Sequence, residues 1–202
     1  FGHCRLTVLT PRLIRVEHCP DGAFEDRAST AVWFRAFDVP PCKATLHRGT
    51  ITLTTPEITL TVHARTGTPQ TVTFSNGKTA DCLNFGNLRG TCRTLDATFG
   101  PVPLQDGLVS RDGVSLLDDS RSFLLDAGGR FCPRKRKGKD VYVFAYDHDY
   151  RAAIQDFYKI SGSVPLIPRF ALGVWWSRYH AYTQEEYLGL IKRFAAENVP
   201  LT

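Results

Sequence analysis

Thr50-Ile51-Thr52-Leu53-Thr54-Thr55-Pro56-Glu57-Ile58-Thr59-Leu60-Thr61-Val62 is the stretch that decides the fold. Apolar residues alternate strictly with threonine on both sides of Pro56-Glu57. Successive strand side chains point to opposite faces, so this spacing predicts two half-buried strands joined as a hairpin. Val72-Thr73-Phe74 followed by Ser75-Asn76-Gly77 predicts a further strand and turn. Leu6 to Leu9 and Leu13 to Val16 are short apolar runs broken at Thr10-Pro11, and Pro20-Asp21-Gly22 is a turn signal. Phe123 to Asp126 and Val141 to Tyr146 have strand character. Several short strands at this spacing predict a mainly β chain built as an antiparallel sandwich. Residues 84–120, rich in Gly, Asp and Arg, lack periodicity and read as functional or interface loops.

After Asp147 the period changes. Tyr150, Ile154, Phe157 and Tyr158 recur at helical spacing, and Gly162 supplies a stop. A linker, Ser163 to Pro168, leads to the apolar run Phe170 to Trp176, which predicts a strand buried on both faces. Thr183 and Glu186 have capping-box spacing, with Tyr187, Leu190, Ile191 and Phe194 on one face of the helix that follows. Asn198 and Pro200 end that helix, and Leu201-Thr202 would begin a second strand. The expected organisation is a sandwich over 1–146, a linking helix and linker over 147–168, and one strand-helix unit over 169–202. Such a unit has nothing to pair with alone, and an eight-fold barrel needs roughly 250 residues. Truncation is therefore expected, with the remainder of a barrel or another chain packing on 169–202.

The 202 residues are 43% hydrophobic and 22% charged, an ordinary globular balance. The net charge of +5 is mild and excludes little. No apolar run reaches about 18 residues, so no membrane helix is expected. The first residues show no charged-then-apolar leader, and no N-x-[ST] sequon occurs, from which a cytoplasmic location is expected. Met is absent, so Phe1 is expected to open a fragment, a processed chain or the visible part of a longer one. Cys4, Cys19, Cys42, Cys82, Cys92 and Cys132 are scattered without a C-x-x-C pair, which argues against a metal site; free buried thiols are expected in preference to disulfides, which the even count leaves open, and no cofactor is expected.

Four segments carry a resemblance. They are Leu6 to Glu17 with Phe24-Glu25-Asp26-Arg27; Asn87-Leu88-Arg89-Gly90-Thr91-Cys92-Arg93-Thr94-Leu95-Asp96 with Gly100; Gly107-Leu108-Val109-Ser110-Arg111-Asp112-Gly113 through Asp118-Asp119-Ser120; and Pro165 to Tyr182, which reads PLIPRFALGVWWSRYHAY. In this order they resemble glycoside hydrolase family 31, the α-glucosidase family. Arg89, Val114, Val174 and Asp147 stand where that family usually has Gly, Trp, Asn and Gly.

The resemblance implies a galactose-mutarotase-like sandwich, a linking helix and the start of a (β/α)8 barrel. It implies retaining hydrolysis or transfer of α-linked glucosyl residues, with an α-glucoside or oligosaccharide as ligand. Retention needs two carboxyls about 5–5.5 Å apart. The family carries them as Asp residues on later barrel strands, so no catalytic residue is expected within this chain, which would be inactive alone. By that resemblance Tyr179 would line the sugar pocket; Trp176 is a weaker candidate because aromatic faces stack on sugars, and the alternative is that Trp175, Trp176 and Tyr179 pack under the sandwich. Arg178 would fix its loop through a carboxylate pair.

Other readings stand beside this one. Asp118 and Asp119 are a tempting acid pair, but strand neighbours face opposite ways and loop Asp residues bond nearby backbone; anchoring near the domain junction is expected. Glu185 and Glu186 open a helix, where carboxylates cap. The run Arg134-Lys135-Arg136-Lys137-Gly138-Lys139 offers a nucleic-acid contact through charge, yet no aromatic residue interleaves to stack bases. The alternative to an enzyme segment is a degenerate, non-catalytic fragment acting as a structural or binding subunit of a larger assembly.

Overall fold

A computed structural model describes residues 1–90, 98–135 and 137–201. It divides into two units, Phe1–Ser163 and Val164–Thr202. The Thr91 to Asp96 part of the second family-like segment, Cys92, Arg136 and Thr202 fall outside the described residues.

The first unit is an antiparallel β-sandwich. Its strands are β1 (Cys4–Thr10), β2 (Leu13–His18), β3 (Lys43–His47), β4 (Thr50–Thr54), β5 (Ile58–His63), β6 (Thr68–Phe74), β7 (Thr79–Asp81), β8 (Val114–Asp118), β9 (Leu124–Leu125), β10 (Phe131–Cys132) and β11 (Lys139–Ala145). One sheet runs β1-β2-β11-β8, the other β3-β4-β5-β6-β7, and β9 with β10 makes a small hairpin. Helix α1 (Tyr150–Ser161) closes the unit, with Asp149 as its N-cap and Gly162 as its C-cap.

The two sheets differ in how they are covered. In the five-stranded sheet Ile51, Leu53, Ile58, Leu60, Val62, Val72 and Phe74 point into the inter-sheet core. The threonines of the same strands line the outer face, where Thr61 and Thr71 hydroxyls lie 2.7 Å apart across the register pair. One wet face preserves the strict alternation of the sequence.

The four-stranded sheet is covered on both sides. Ile14, Val16, Val143 and Ala145 face the inter-sheet core. Leu13, Tyr142 and Phe144 face a second core completed by Val32 and by Ala153 and Ile160 of α1. Double burial explains why β8, inside the stretch expected to be irregular, went unread: Val114 and Ser115 are both buried, so no alternation marks the strand.

The second unit holds one turn of 3₁₀ helix (Arg169–Leu172) and helix α2 (Gln184–Ala196). The strand expected over Phe170 to Trp176 is not formed. Among the described residues its one strand-like pairing is a parallel bridge from Val174 to Leu201, and Phe170, Leu172 and Trp175 are exposed. A strand needs neighbours to satisfy its N–H and C=O groups, and an apolar run alone does not provide them. The capping box forms as read: the Glu186 backbone N–H donates to Thr183 Oγ1 at 3.2 Å, and the Thr183 N–H donates to Glu186 Oε2 at 2.8 Å.

Candidate functional site

Charged residues gather on the α1-facing side of the four-stranded sheet. Along β2, Leu13, Arg15 and Glu17 share that side; along β11, Asp140, Tyr142 and Phe144 do. The apolar members dock α1, and the polar members sit beneath the segment that carries Glu25, Asp26 and Arg35. Eight side chains alternate in sign. Arg5 lies 2.6 Å from Asp26 and 2.6 Å from Glu17, and Arg15 lies 3.1 Å from Glu17 and 2.8 Å from Asp140. Arg134 lies 2.9 Å from Asp140 and 3.0 Å from Asp119, and Arg35 lies 3.5 Å from Asp119. The last contact is an ion pair without hydrogen-bond geometry, since Arg35 Nη2 has no hydrogen-bond partner while its Nε donates to the Tyr142 hydroxyl at 2.6 Å.

Burial lowers the Arg15 pKa, but the Asp140 carboxylate outweighs it and the guanidinium is held more firmly protonated. Burial pushes the Glu17 carboxyl up against the pull of Arg5 and Arg15. Burial also lifts the Tyr142 phenol to about 12. The cavity bordering this network, between Glu17, Phe24, Arg134 and Asp140, is about 40 Å³. It fits a water-sized group and not a sugar ring. The arrangement therefore holds loops to a sheet and offers no room for substrate chemistry.

The structure separates Asp118 from Asp119. Asp118 ends β8, is exposed, and accepts from the Ser120 N–H at 2.9 Å and from the Ser120 hydroxyl. Asp119 is fully buried and accepts from Ser29 Oγ at 2.9 Å as well as from Arg134. Both are committed to local bonds. The basic run is likewise partly turned inward: Arg134 joins the network, and Lys139 Nζ donates to Thr68 Oγ1 at 2.6 Å. Lys135 and Lys137 remain exposed. Sequence reasoning missed Arg15, Glu17, Asp140 and Arg35. The available signal was charge at alternate positions in runs otherwise too apolar for solvent, L-I-R-V-E and D-V-Y-V-F.

Two departures from the family pattern fall at left-handed backbone. Arg89 has φ 58° and Asp147 has φ 49°. Gly113 packs so closely on Asp147 that a Cβ there would lie 2.4 Å from the Asp147 Cα. Glycine adopts such φ without steric cost, and Asp tolerates it better than most residues. The Asp147 carboxylate adds a 2.9 Å pair with Lys78, which holds it below the usual carboxylate range.

In the second unit an aromatic cluster forms between the 3₁₀ turn and α2. The Trp176 ring packs on Phe194 with centroids 5.5 Å apart and on Tyr182 at 6.2 Å. Tyr182 also meets His180 at 4.4 Å and Tyr187 at 5.8 Å. Trp176 and Arg178 line one cleft of about 410 Å³ with Leu190, Arg193, Phe194 and Glu197. Tyr179 is not brought into it; its ring is fully exposed. Arg178 Nη1 donates to the Tyr182 hydroxyl at 3.4 Å rather than to the expected carboxylate. Arg193, the nearer guanidinium to an acid, lies 3.6 Å from Glu197. Among the described residues no group of three or more His, Cys, Asp or Glu could hold a metal ion, and no helix is long and apolar enough to cross a membrane.

No protein-family model matches the chain. A curated α-xylosidase of Saccharolobus solfataricus is 28% identical over 127 residues, covering 59% of this chain and 16% of that enzyme. A glycoside hydrolase family 31 dextranase of Flavobacterium johnsoniae, solved with glucose, superposes over 99% of this chain and 31% of its own with a TM-score of 0.60 at 17% identity. A mutant of that dextranase, solved with isomaltotriose, superposes over the same shares with a TM-score of 0.58 at 16% identity. The chain thus spans under a third of the relatives it matches. The resemblance to glycoside hydrolase family 31 read from the four segments holds, and the mainly antiparallel β fold agrees with the N-terminal sandwich of these neighbours.

Proposed function

We propose, from the resemblance to glycoside hydrolase family 31, that this chain is the N-terminal part of a retaining α-glycosidase that hydrolyses or transfers α-linked glucosyl residues. The observation that carries this reading is the superposition of a solved dextranase over 99% of the chain, with the four family-like segments in order. The glucose and isomaltotriose held by that dextranase support a glucosyl oligosaccharide as the ligand.

In this reading the two catalytic carboxylates lie outside the chain, and residues 1–202 alone do not turn over substrate. The sandwich is the support, and the buried ionic network anchors Asp119 and its loop near the junction with the barrel. Tyr179, with its exposed ring, and Trp176, packed on Phe194, contact the sugar in the complete enzyme, because flat apolar ring faces cover the C–H faces of a pyranose. The exposed apolar side chains of 164–202 are covered by barrel segments or by another chain.

The test uses an aryl α-glucoside. Purified residues 1–202 are expected to release no aryl alcohol. In the complete protein, Tyr179→Ala is expected to raise KM several-fold. Unchanged kinetics for Tyr179→Ala would remove the sugar-contact role, and release by residues 1–202 would remove the division of labour.

A further inference from the structure

The sandwich is open along one side. β1 is the outer strand of the four-stranded sheet, and β3 is the outer strand of the five-stranded sheet. Between them lies a groove of about 350 Å³, faced by Cys4, Leu6 and Val8 on one wall and by Cys42, Ala44 and Leu53 on the other. Residues two apart share a strand face. Cys4, Leu6 and Val8 are therefore one row on β1, and Cys42, immediately before β3, continues the row of Ala44. Each wall contributes one thiol.

The other described cysteines are placed elsewhere. Cys4 pairs in register with His18, so Cys19, one residue further, turns to the opposite side; there it lines the small cavity beside Glu17 and donates to Asp21 at 2.9 Å. Cys82 follows β7, the edge of the five-stranded sheet opposite β3, and burial lifts its thiol to about 12. Cys132 lies on the β9–β10 hairpin, 3.8 Å from Arg27. All five described cysteines are free thiols.

We propose that Cys4 and Cys42 are an oxidisable pair, a modification site at which a small disulfide such as oxidised glutathione staples the two sheets across the open groove. Cys42 is exposed and Cys4 is buried, so the order of events follows from access. The Cys42 thiolate attacks the glutathione disulfide, forms a mixed disulfide and expels one glutathione thiolate. The Cys4 thiolate then attacks the Cys42 sulfur and expels the second glutathione. Two protein thiols become one disulfide, and one oxidised glutathione becomes two reduced molecules. The segment Val39 to Cys42 forms no strand pairs and is largely exposed, which lets Cys42 approach. Burial raises the Cys4 thiol above its ordinary pKa, so closure quickens as pH rises.

The test is a tryptic map of the natively folded chain after incubation with oxidised glutathione and alkylation of remaining thiols, run without reduction. The expected product links the Cys4 peptide that ends at Arg5 to Ala36–Lys43, with a thermal midpoint several degrees higher that falls back under dithiothreitol. Cys42→Ser is expected to leave Cys4 as a free thiol, and Cys4→Ser to stop at the glutathione adduct of Cys42. A wild-type chain that retains glutathione on Cys42 with Cys4 free, fails to react at Cys42, or links Cys4 to Cys19, Cys82 or Cys132 overturns the proposal.

Discussion

Phe1–Ser163 and Val164–Thr202 are built from similar amino acids and reach opposite outcomes. In the first unit Leu13, Ile14, Val16, Val32, Ile51 and Leu60 are completely buried, and even Arg15 and Asp119 are taken out of water. In the second no described residue is buried, although Leu166, Phe170 and Leu172 are as apolar as the side chains of the sandwich core. Apolar composition asks for burial, and topology decides whether it is granted. Strands in the first unit find neighbours within the chain. The run at 170–176 finds a single bridge at Val174.

The largest expected break in this comparison is Arg15→Ala. It leaves Asp140 and Glu17 in the interior without their shared cation, and loss of one partner from a buried pair costs about 3–5 kcal/mol. Arg178→Ala, at an exposed guanidinium bonded to one hydroxyl, is expected to cost under about 0.5 kcal/mol. Chemical denaturation of both variants measures the pair, and equal losses would erase the distinction between the units. Next comes a matched leucine. Leu60→Ala in the inter-sheet core is expected to cost about 2–5 kcal/mol, whereas Leu190→Ala on α2 costs under about 1 kcal/mol in the same assay.

A smaller effect concerns pH. Arg27 hydrogen bonds, opposed by burial, hold the Glu25 carboxyl down to about 2. Its contribution to stability is therefore complete above the unfolded value of about 4.3 and is lost as pH falls toward 2. Glu17 runs the other way: burial raises its pKa, so its ionisation opposes folding as pH rises above the unfolded value. Glu25→Gln is expected to flatten the acid limb of thermal stability between about pH 4.3 and 2; an unchanged limb would show the Arg27 pair to be without weight. The smallest expected effect is a gain. Arg89→Gly relieves a left-handed residue and is expected to stabilise by up to about 1 kcal/mol, read as a rise in the denaturation midpoint.

Much of the sandwich was legible in the sequence because the five-stranded sheet has one wet face. Thr-Ile-Thr-Leu-Thr announces its own orientation. β8 was not legible, because a strand between two cores loses its period, and β3, Lys-Ala-Thr-Leu-His, is exposed along its whole length. Buried charges were missed for a related reason: a lone Arg or Asp defaults to solvent in a linear reading, and only the fold brings Asp26, Arg5, Glu17, Arg15, Asp140, Arg134, Asp119 and Arg35 into one alternating chain. α1, α2 and the Thr183–Glu186 capping box were legible because caps are local. The strand at 170–176 was over-read, since an apolar run specifies burial without specifying a partner. Trp176 and Arg178 do share a cleft, and Tyr179 stands apart from it.

The most direct test of the account is the stereochemistry of the natural protein's reaction. Proton NMR during turnover of an aryl α-glucoside should show the α-anomer of glucose appearing first, with residues 1–202 alone producing none. Absence of turnover by the natural protein, a β-anomer as the first product, or turnover by residues 1–202 would contradict it.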